Sequence, residues 1–362
     1  MTEQLAIERV LAHAKTLLLR TVDLVRNGLD DRGIARAVAT GELIRLRLGW
    51  YLSREHWEEL GIEDRHLTAL VAAQHESAGR HVYSHRSAAT LLRLPVWSSW
   101  LPGSPPAARQ GAGDPLLTHI VARPGASSAS GSCLVRHRMA LNDADVGSVA
   151  GYACTSPERT VFDLARTEPF ALALASADAM LSRSVRRGRT IDTRSWESWR
   201  ERMLERAADV PGGRGTVAAR VIAHLADPRS DSVLESVSRL RLLQLGIDVE
   251  QQVPVPAESG STLYLDFHFV GLRVFGECDG RSKYTDPILR GSRTAEEVVY
   301  AEKRRHDWIV GTTGMRVIRW GAADVRTAAR FADRLRAFGV PVPGSPTRAF
   351  GPEVAAFLRR LP

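Results

Sequence analysis

Glu235, Asp266, Glu277 and Asp279, followed by Lys283, are the residue types of metal-assisted phosphodiester chemistry, and they arrive in a usable order. They sit in Ser232-Val233-Leu234-Glu235, Leu265-Asp266-Phe267 and Glu277-Cys278-Asp279-Gly280-Arg281-Ser282-Lys283, with Glu302-Lys303 further on. Lysine is scarce: Lys15, Lys283 and Lys303 are the only three among 49 Lys and Arg residues. Arginine stays protonated and planar, whereas a lysine ammonium is a compact charge of tunable pKa. A lysine kept in so arginine-rich a chain points to work that arginine cannot do. Clustered carboxylates repel one another unless one is protonated or a cation joins them. Oxygen ligands with retained waters are how proteins hold Mg²⁺. The ion in turn polarises a phosphate oxygen and lowers the pKa of a bound water. Asp266, Glu277 and Asp279 are therefore candidate ligands for Mg²⁺ or Mn²⁺. Glu235 completes the shell or orients a metal-bound water. Lys283 stabilises charge developing on the phosphorane or positions the nucleophile.

The elements that must position these residues follow from the flanking pattern. Tyr264–Phe269 and Leu272–Glu277, joined by Val270-Gly271, predict an antiparallel hairpin with Asp266 across from Glu277. Glu277 and Asp279 are two apart in a strand and share a face. Three carboxylates are thus expected to converge at one end of the hairpin. The wider pattern beyond a boundary at Ala226–Ser230 predicts a helix over 231–245 and strands near 248–255, 262–269 and 272–279. A helix over 294–309 and a strand over 315–320 follow. That order is α-β-β-β-α-β. A helix over 322–338, a Pro-rich turn and a final helix close the chain.

Upstream, apolar spacing predicts a helix over 1–20, a short helix over 21–28 ended by Gly28, and a helix over 30–41 between Asp30 and Gly41. Leu43–Leu52 alternates apolar residues with arginine around Gly49, the pattern of a small hairpin. Helices followed by a basic hairpin are the order of a winged helix-turn-helix, which lays its second helix in the major groove. Arg32 and Arg36 would share a face of that helix, and Arg45 and Arg47 a face of the hairpin. Lys303 and Arg304 would add a phosphate-contacting helix face. Residues 64–94 read as helical, 101–115 and 124–132 as loops, and 116–122 and 133–138 as strands. Ser156-Pro157-Glu158 starts a helix, and further helices are expected over 170–183, 195–209 and 216–226. The expected class is α+β and multidomain: a winged-helix module over 1–60, a mostly helical middle domain over 61–228, a nuclease-like domain over 229–340 and a tail over 341–362.

Composition narrows the partners. A formal net charge of +8 favours an anionic partner, with nucleic acid first. No run of about 18 apolar residues exists to span a bilayer. The first twenty residues lack the pattern of a signal peptide. Cys133, Cys154 and Cys278 are odd in number and widely spaced, which argues against a disulfide framework or a zinc site. The expectation is a cytoplasmic protein.

Residues 230–325 resemble the PD-(D/E)XK nuclease superfamily, and within it the very-short-patch-repair-like endonuclease domains. The likeness rests on Leu234-Glu235, Asp266-Phe267, Glu277-Cys278-Asp279-Gly280, Lys283-Tyr284 and Glu302-Lys303-Arg304-Arg305. The superfamily's plain pattern is Glu-x-Lys. Here the third position is Asp279, so the lysine would come from Lys283. Residues 21–52, with Tyr83–Ala89 and Thr155–Ala165, resemble AbiEi-type antitoxins, which implies a DNA-binding regulator and a toxin partner encoded nearby. Together the resemblances imply either an active Mg²⁺-dependent DNA endonuclease or a DNA-binding regulator whose nuclease-like domain is inactive.

Overall fold

Asp30 opens the most sharply bounded helix of the N-terminal region: its Oδ1 accepts from the Gly33 amide at 2.7 Å, and Gly41 closes the helix at φ 80°. Ile34 and Ala37 are the buried face. In the computed structural model this helix, α3 (Asp31–Thr40), follows α1 (Glu3–Leu17), β1 (Leu19–Arg20) and α2 (Thr21–Arg26), and precedes β2 (Leu43–Arg47) and β3 (Trp50–Ser53). The three strands form one sheet in the order β1-β3-β2. The structure describes residues 3–76, 81–97, 100, 114–122, 133–279 and 295–362. Lys283 lies outside the described residues.

The chain divides into two units. The first holds the described residues up to Glu168 apart from Trp100; the second holds Trp100 and Pro169–Pro362. The first continues with α4 (Arg54–Glu59), α5 (Ile62–Glu76), α6 (His85–Leu91), β4 (Thr118–Val121), β5 (Leu134–His137), β6 (Val146–Val149), β7 (Tyr152–Thr155) and α7 (Pro157–Thr167). Strands β4 and β5 are parallel. The hairpin of β6 and β7 was not expected, because β6 is mostly exposed and lacks apolar alternation. Arg159 of α7 sits between two buried carboxylates, at 3.0 Å from both Asp145 and Asp163.

The second unit opens with α8 (Phe170–Val185), the short strands β8 (Arg186–Arg187) and β9 (Thr190–Ile191), α9 (Thr193–Ala208) and α10 (Thr216–Leu225). These helices were expected to belong with the middle domain. They pack instead with α11 (Val233–Leu245): Arg239 of α11 donates to both oxygens of buried Asp178 of α8, at 3.1 and 2.9 Å. Next come β10 (Val249–Pro256), β11 (Thr262–Phe269), β12 (Val274–Cys278), α12 (Ala295–Thr313), β13 (Arg316–Trp320), α13 (Ala328–Ala337) and α14 (Pro352–Arg360). The sheet order is β10-β11-β12-β13, antiparallel except for the parallel β12–β13 pair. The expected α-β-β-β-α-β order is therefore present from α11 to β13. The C-terminal segment belongs to the same unit, since the Gln244 amide of α11 donates to Leu358 and Leu361 carbonyls at 3.1 and 3.3 Å. Among the described residues no helix is long and apolar enough to cross a membrane.

One core of this unit lies between α11, the sheet and α13, with Val237, Phe267, Phe269, Ile318, Trp320 and Phe331 at its centre. Gly276 makes it possible. A Cβ there would meet the Trp320 ring at 2.2 Å, so only glycine leaves room for the edge of the indole.

Candidate functional site

Helix α11 is held on the sheet by a polar pin. The Trp320 indole donates to Ser238 Oγ at 2.8 Å, and the Cys278 thiol lies 3.4 Å from the same oxygen. Ser232 caps the helix by accepting from the Glu235 amide at 3.2 Å. Glu235 lies one turn before Ser238, so the pin fixes its height over the sheet. Its side chain is 7% exposed and accepts from three neutral donors. Ser232 Oγ donates to Oε1 at 2.9 Å. The Asp231 amide and Gln252 Nε2 donate to Oε2 at 2.9 and 3.0 Å. Burial first, and the charge of Asp266 second, push this carboxyl up to about 7. Asp266 itself accepts from the Cys278 amide at 2.7 Å. Burial, then the Asp266 charge, push the Cys278 thiol well up, which makes it a packing residue and not a nucleophile.

Glu235, Asp266 and Asp279 line one cleft of about 1230 Å³, together with Gln252, Arg189 and Arg319. Asp279 is placed by its backbone, which donates to the Trp320 carbonyl at 2.8 Å. Glu277 is not among the lining residues. Its Oε1 pairs with Arg305 at 2.6 Å and its Oε2 with Arg319 at 3.0 Å. Glu302 joins the same network, 2.6 Å from Arg319. The convergence of three carboxylates expected from the hairpin is therefore not what the structure has. Among the described residues, no three His, Cys, Asp or Glu side chains form a metal-holding group.

The reason is a change of face within two strands. On β11, Leu263 and Leu265 pack with Ile309 of α12, whereas Phe267 and Phe269 pack with Val237 of α11. On β10, Val253 and Val255 join the first group, and Val249 the second. The switch falls at Asp266 and at Gln252, which has φ 55°. β12 keeps its alternation: Val274 and Cys278 face the α11 side and Phe275 the α12 side. Glu277 shares the face of Phe275 and so meets Arg305 of α12. Asp266 and Glu277 end up in different surroundings although the hairpin forms as expected.

The basic residues separate in the same way. Arg32 and Arg36 are both exposed on α3, opposite its buried face. Arg45 is exposed, but a bulge between Arg45 and Arg47 breaks the shared face. Arg47 is half-buried and its charge is felt by Tyr83. Lys303 is exposed, and Arg304 pairs with Glu258 at 2.7 Å. His85 is buried and stacks on His137 with centroids 3.5 Å apart. Burial lowers His137 to about 4. Neutral imidazoles stacked in this way pack against one another.

Four residues carry weight that the sequence did not single out: Arg189, Gln252 and Arg319 of the cleft, and Arg305, which pairs with Glu277. Arg305 stood inside the quoted helix motif. The other three had no local signal, since each acts through a partner distant in sequence.

Two Mycobacterium tuberculosis proteins, Uncharacterized protein MT2308 (strain CDC 1551) and Uncharacterized protein Rv2248 (strain H37Rv), are each 30% identical to this chain over 140 residues. The match covers 38% of this chain and 47% of each relative, so the chain spans about half the length of the curated relatives it matches. No family model matches the chain, and no solved structure does.

Proposed function

We propose that the second unit is a Mg²⁺- or Mn²⁺-dependent DNA endonuclease of the PD-(D/E)XK type, joined to an N-terminal winged-helix module that binds DNA in the cytoplasm. The observation that carries the reading is one cleft. It opens at the ends of the parallel β12–β13 pair and holds Glu235, Asp266 and Asp279 between arginines. The α-β-β-β-α-β order of the surrounding elements supports the nuclease core. The β1-β3-β2 sheet behind α3, with Arg32 and Arg36 exposed, supports the winged helix.

Mg²⁺ is commonly held by one or two carboxylates, with water and substrate phosphate oxygens filling the other positions. Asp266 and Glu235 fit that donor set: two carboxylates close enough that the charge of one raises the pKa of the other. They would hold the ion between them. When bound, the ion would polarise a phosphate oxygen and activate a water. The chain's own residues do the rest. Glu235, poised near neutrality, holds or releases a proton at its Oε atoms. The Cys278 amide fixes the Asp266 carboxylate. Arg189 and Arg319 bring positive charge to a phosphodiester approaching an acidic floor. Glu277 contributes by organising Arg319.

Full-length protein incubated with supercoiled plasmid and Mg²⁺ or Mn²⁺ should nick it, and Asp266→Asn should abolish nicking. Equal nicking by wild type and Asp266→Asn would remove the assignment. A second reading is favoured by one observation: Glu277 is neutralised by two arginines while Asp279 stands where the superfamily keeps a lysine. On that reading the domain is inactive and the protein is an AbiEi-like regulator with a toxin partner encoded nearby. Binding to its own upstream DNA, with no cleavage under any metal, would select it.

A further inference from the structure

Gln252 departs from the backbone of its own strand. On either side of it β10 pairs regularly with β11, Gln251 with Phe267 and Val253 with Leu265, yet Gln252 has φ 55°. A left-handed conformation is costly for a residue with a Cβ, and it persists where surrounding contacts hold it. Here both ends of the side chain are held. Nε2 donates to Glu235 Oε2 at 3.0 Å, and Oε1 accepts from Arg189 Nη1 at 2.7 Å.

Arg189 comes from elsewhere in the unit. It follows Gly188, at φ 61°, in the turn between β8 and β9. Its guanidinium lies over the Tyr264 ring, 4.1 Å from the centroid, and Nη1 is 3.4 Å from Asp231. The base of that hairpin is fixed by Arg186, which pairs with Asp231 and donates to the Pro228 carbonyl at 2.9 Å. Thus a turn of the α8–α10 region carries an arginine to the mouth of the carboxylate cleft, where its side chain remains 44% exposed. An amide can donate to a carboxylate from its nitrogen and accept from a guanidinium at its oxygen at once. Glutamate at 252 would repel Glu235, and lysine would repel Arg189.

We propose that Gln252 is a positioning residue that seats Arg189 at the cleft mouth, and that Arg189 there contacts a phosphate of the bound DNA strand. The inference rests on the nuclease reading. An acidic floor repels the phosphodiester that it must hold, and a planar, permanently charged fork at the rim offsets that repulsion and matches phosphate oxygens.

The test measures binding of full-length protein to a fluorescein-labelled duplex, in chelator, across a salt series. Arg189→Ala should weaken binding about tenfold and reduce the salt slope by about one. Arg189→Lys should recover the slope but not the full affinity. Gln252→Gly suits the left-handed backbone, so its melting temperature should not fall, yet its affinity should drop in the same direction. If Gln252 acts through Arg189, the double variant binds no more weakly than Arg189→Ala alone. Strictly additive losses, or an unchanged Arg189→Ala, would overturn the proposal. If wild type binds and cuts DNA while Arg189→Ala binds equally well, only this inference falls. If wild type neither binds nor cuts, the nuclease reading falls and takes this one with it.

Discussion

Replacing Glu235 by glutamine should make the metal-free protein more stable at pH 8 and leave it unchanged below pH 4. The carboxyl is pushed from an ordinary 4.5 up to about 7, by burial first and by Asp266 second. A group whose folded pKa lies above its unfolded value binds its proton more tightly in the native state. Its stabilising contribution is complete below the unfolded value and is lost as pH rises through about 7. Above that pH the native state carries a buried carboxylate beside Asp266. At 1.36 kcal/mol per pH unit, the gap between 4.5 and about 7 corresponds to at most roughly 3 kcal/mol. The amide can take over each hydrogen bond. The Ser232 hydroxyl, which now donates to Oε1, accepts as readily as it donates. The remaining oxygen keeps the Asp231 amide and Gln252 as donors. A gain of about 1–3 kcal/mol at pH 8 is expected, several degrees in Tm for a unit of this size. Calorimetric melts in chelator at both pH values read it directly. A variant no more stable than wild type at pH 8, or stabilised equally below pH 4, would refute the reasoning. The same variant should lose nicking activity, because a neutral amide neither neutralises the cation nor moves the proton.

Arg159→Met should cost about 3–5 kcal/mol in urea unfolding, because Asp145 and Asp163 would remain buried without their shared cation; wild-type stability would sink the claim. Gly276→Ala should destabilise the second unit by about 1–3 kcal/mol or more, since the new methyl meets Trp320 at 2.2 Å; the near-ultraviolet tryptophan signal should change with it, and an unaltered melt would contradict the packing. Arg32→Ala with Arg36→Ala should reduce the salt slope of DNA binding by up to about two; an unchanged slope would take α3 out of the nucleic-acid surface.

The order of elements around the cleft was legible because it depends on local signals. Ser232 and Gly246 mark the ends of α11, Val270-Gly271 marks the hairpin, and the six elements appear where the pattern put them. The direction in which each acid points was not legible. Period-two reasoning assumes an unbroken pleat, and the pleat changes face at Gln252 and Asp266. A left-handed glutamine has no sequence signature, since glutamine seldom adopts that conformation and nothing nearby resembles a turn. The place of α8–α10 was missed for a related reason. Asp178 and Arg239 are 61 residues apart, and a long-range ion pair leaves no mark on either helix taken alone.

The arginine-rich composition decides which acid is left to act. In a chain with 49 Lys and Arg residues, three of them lysine, a strand carboxylate that faces a helix meets guanidinium groups, and their forks hold it firmly. Glu277 has met two and is spent on structure. Glu235 escapes because its neighbours are a hydroxyl, a backbone amide and a glutamine. Neutral donors orient the carboxylate without cancelling its charge, so burial first and the repulsion from Asp266 second raise its pKa. A cation entering between them would remove that repulsion. Glu235→Gln, which gains stability at pH 8, should therefore also bind such a cation more weakly.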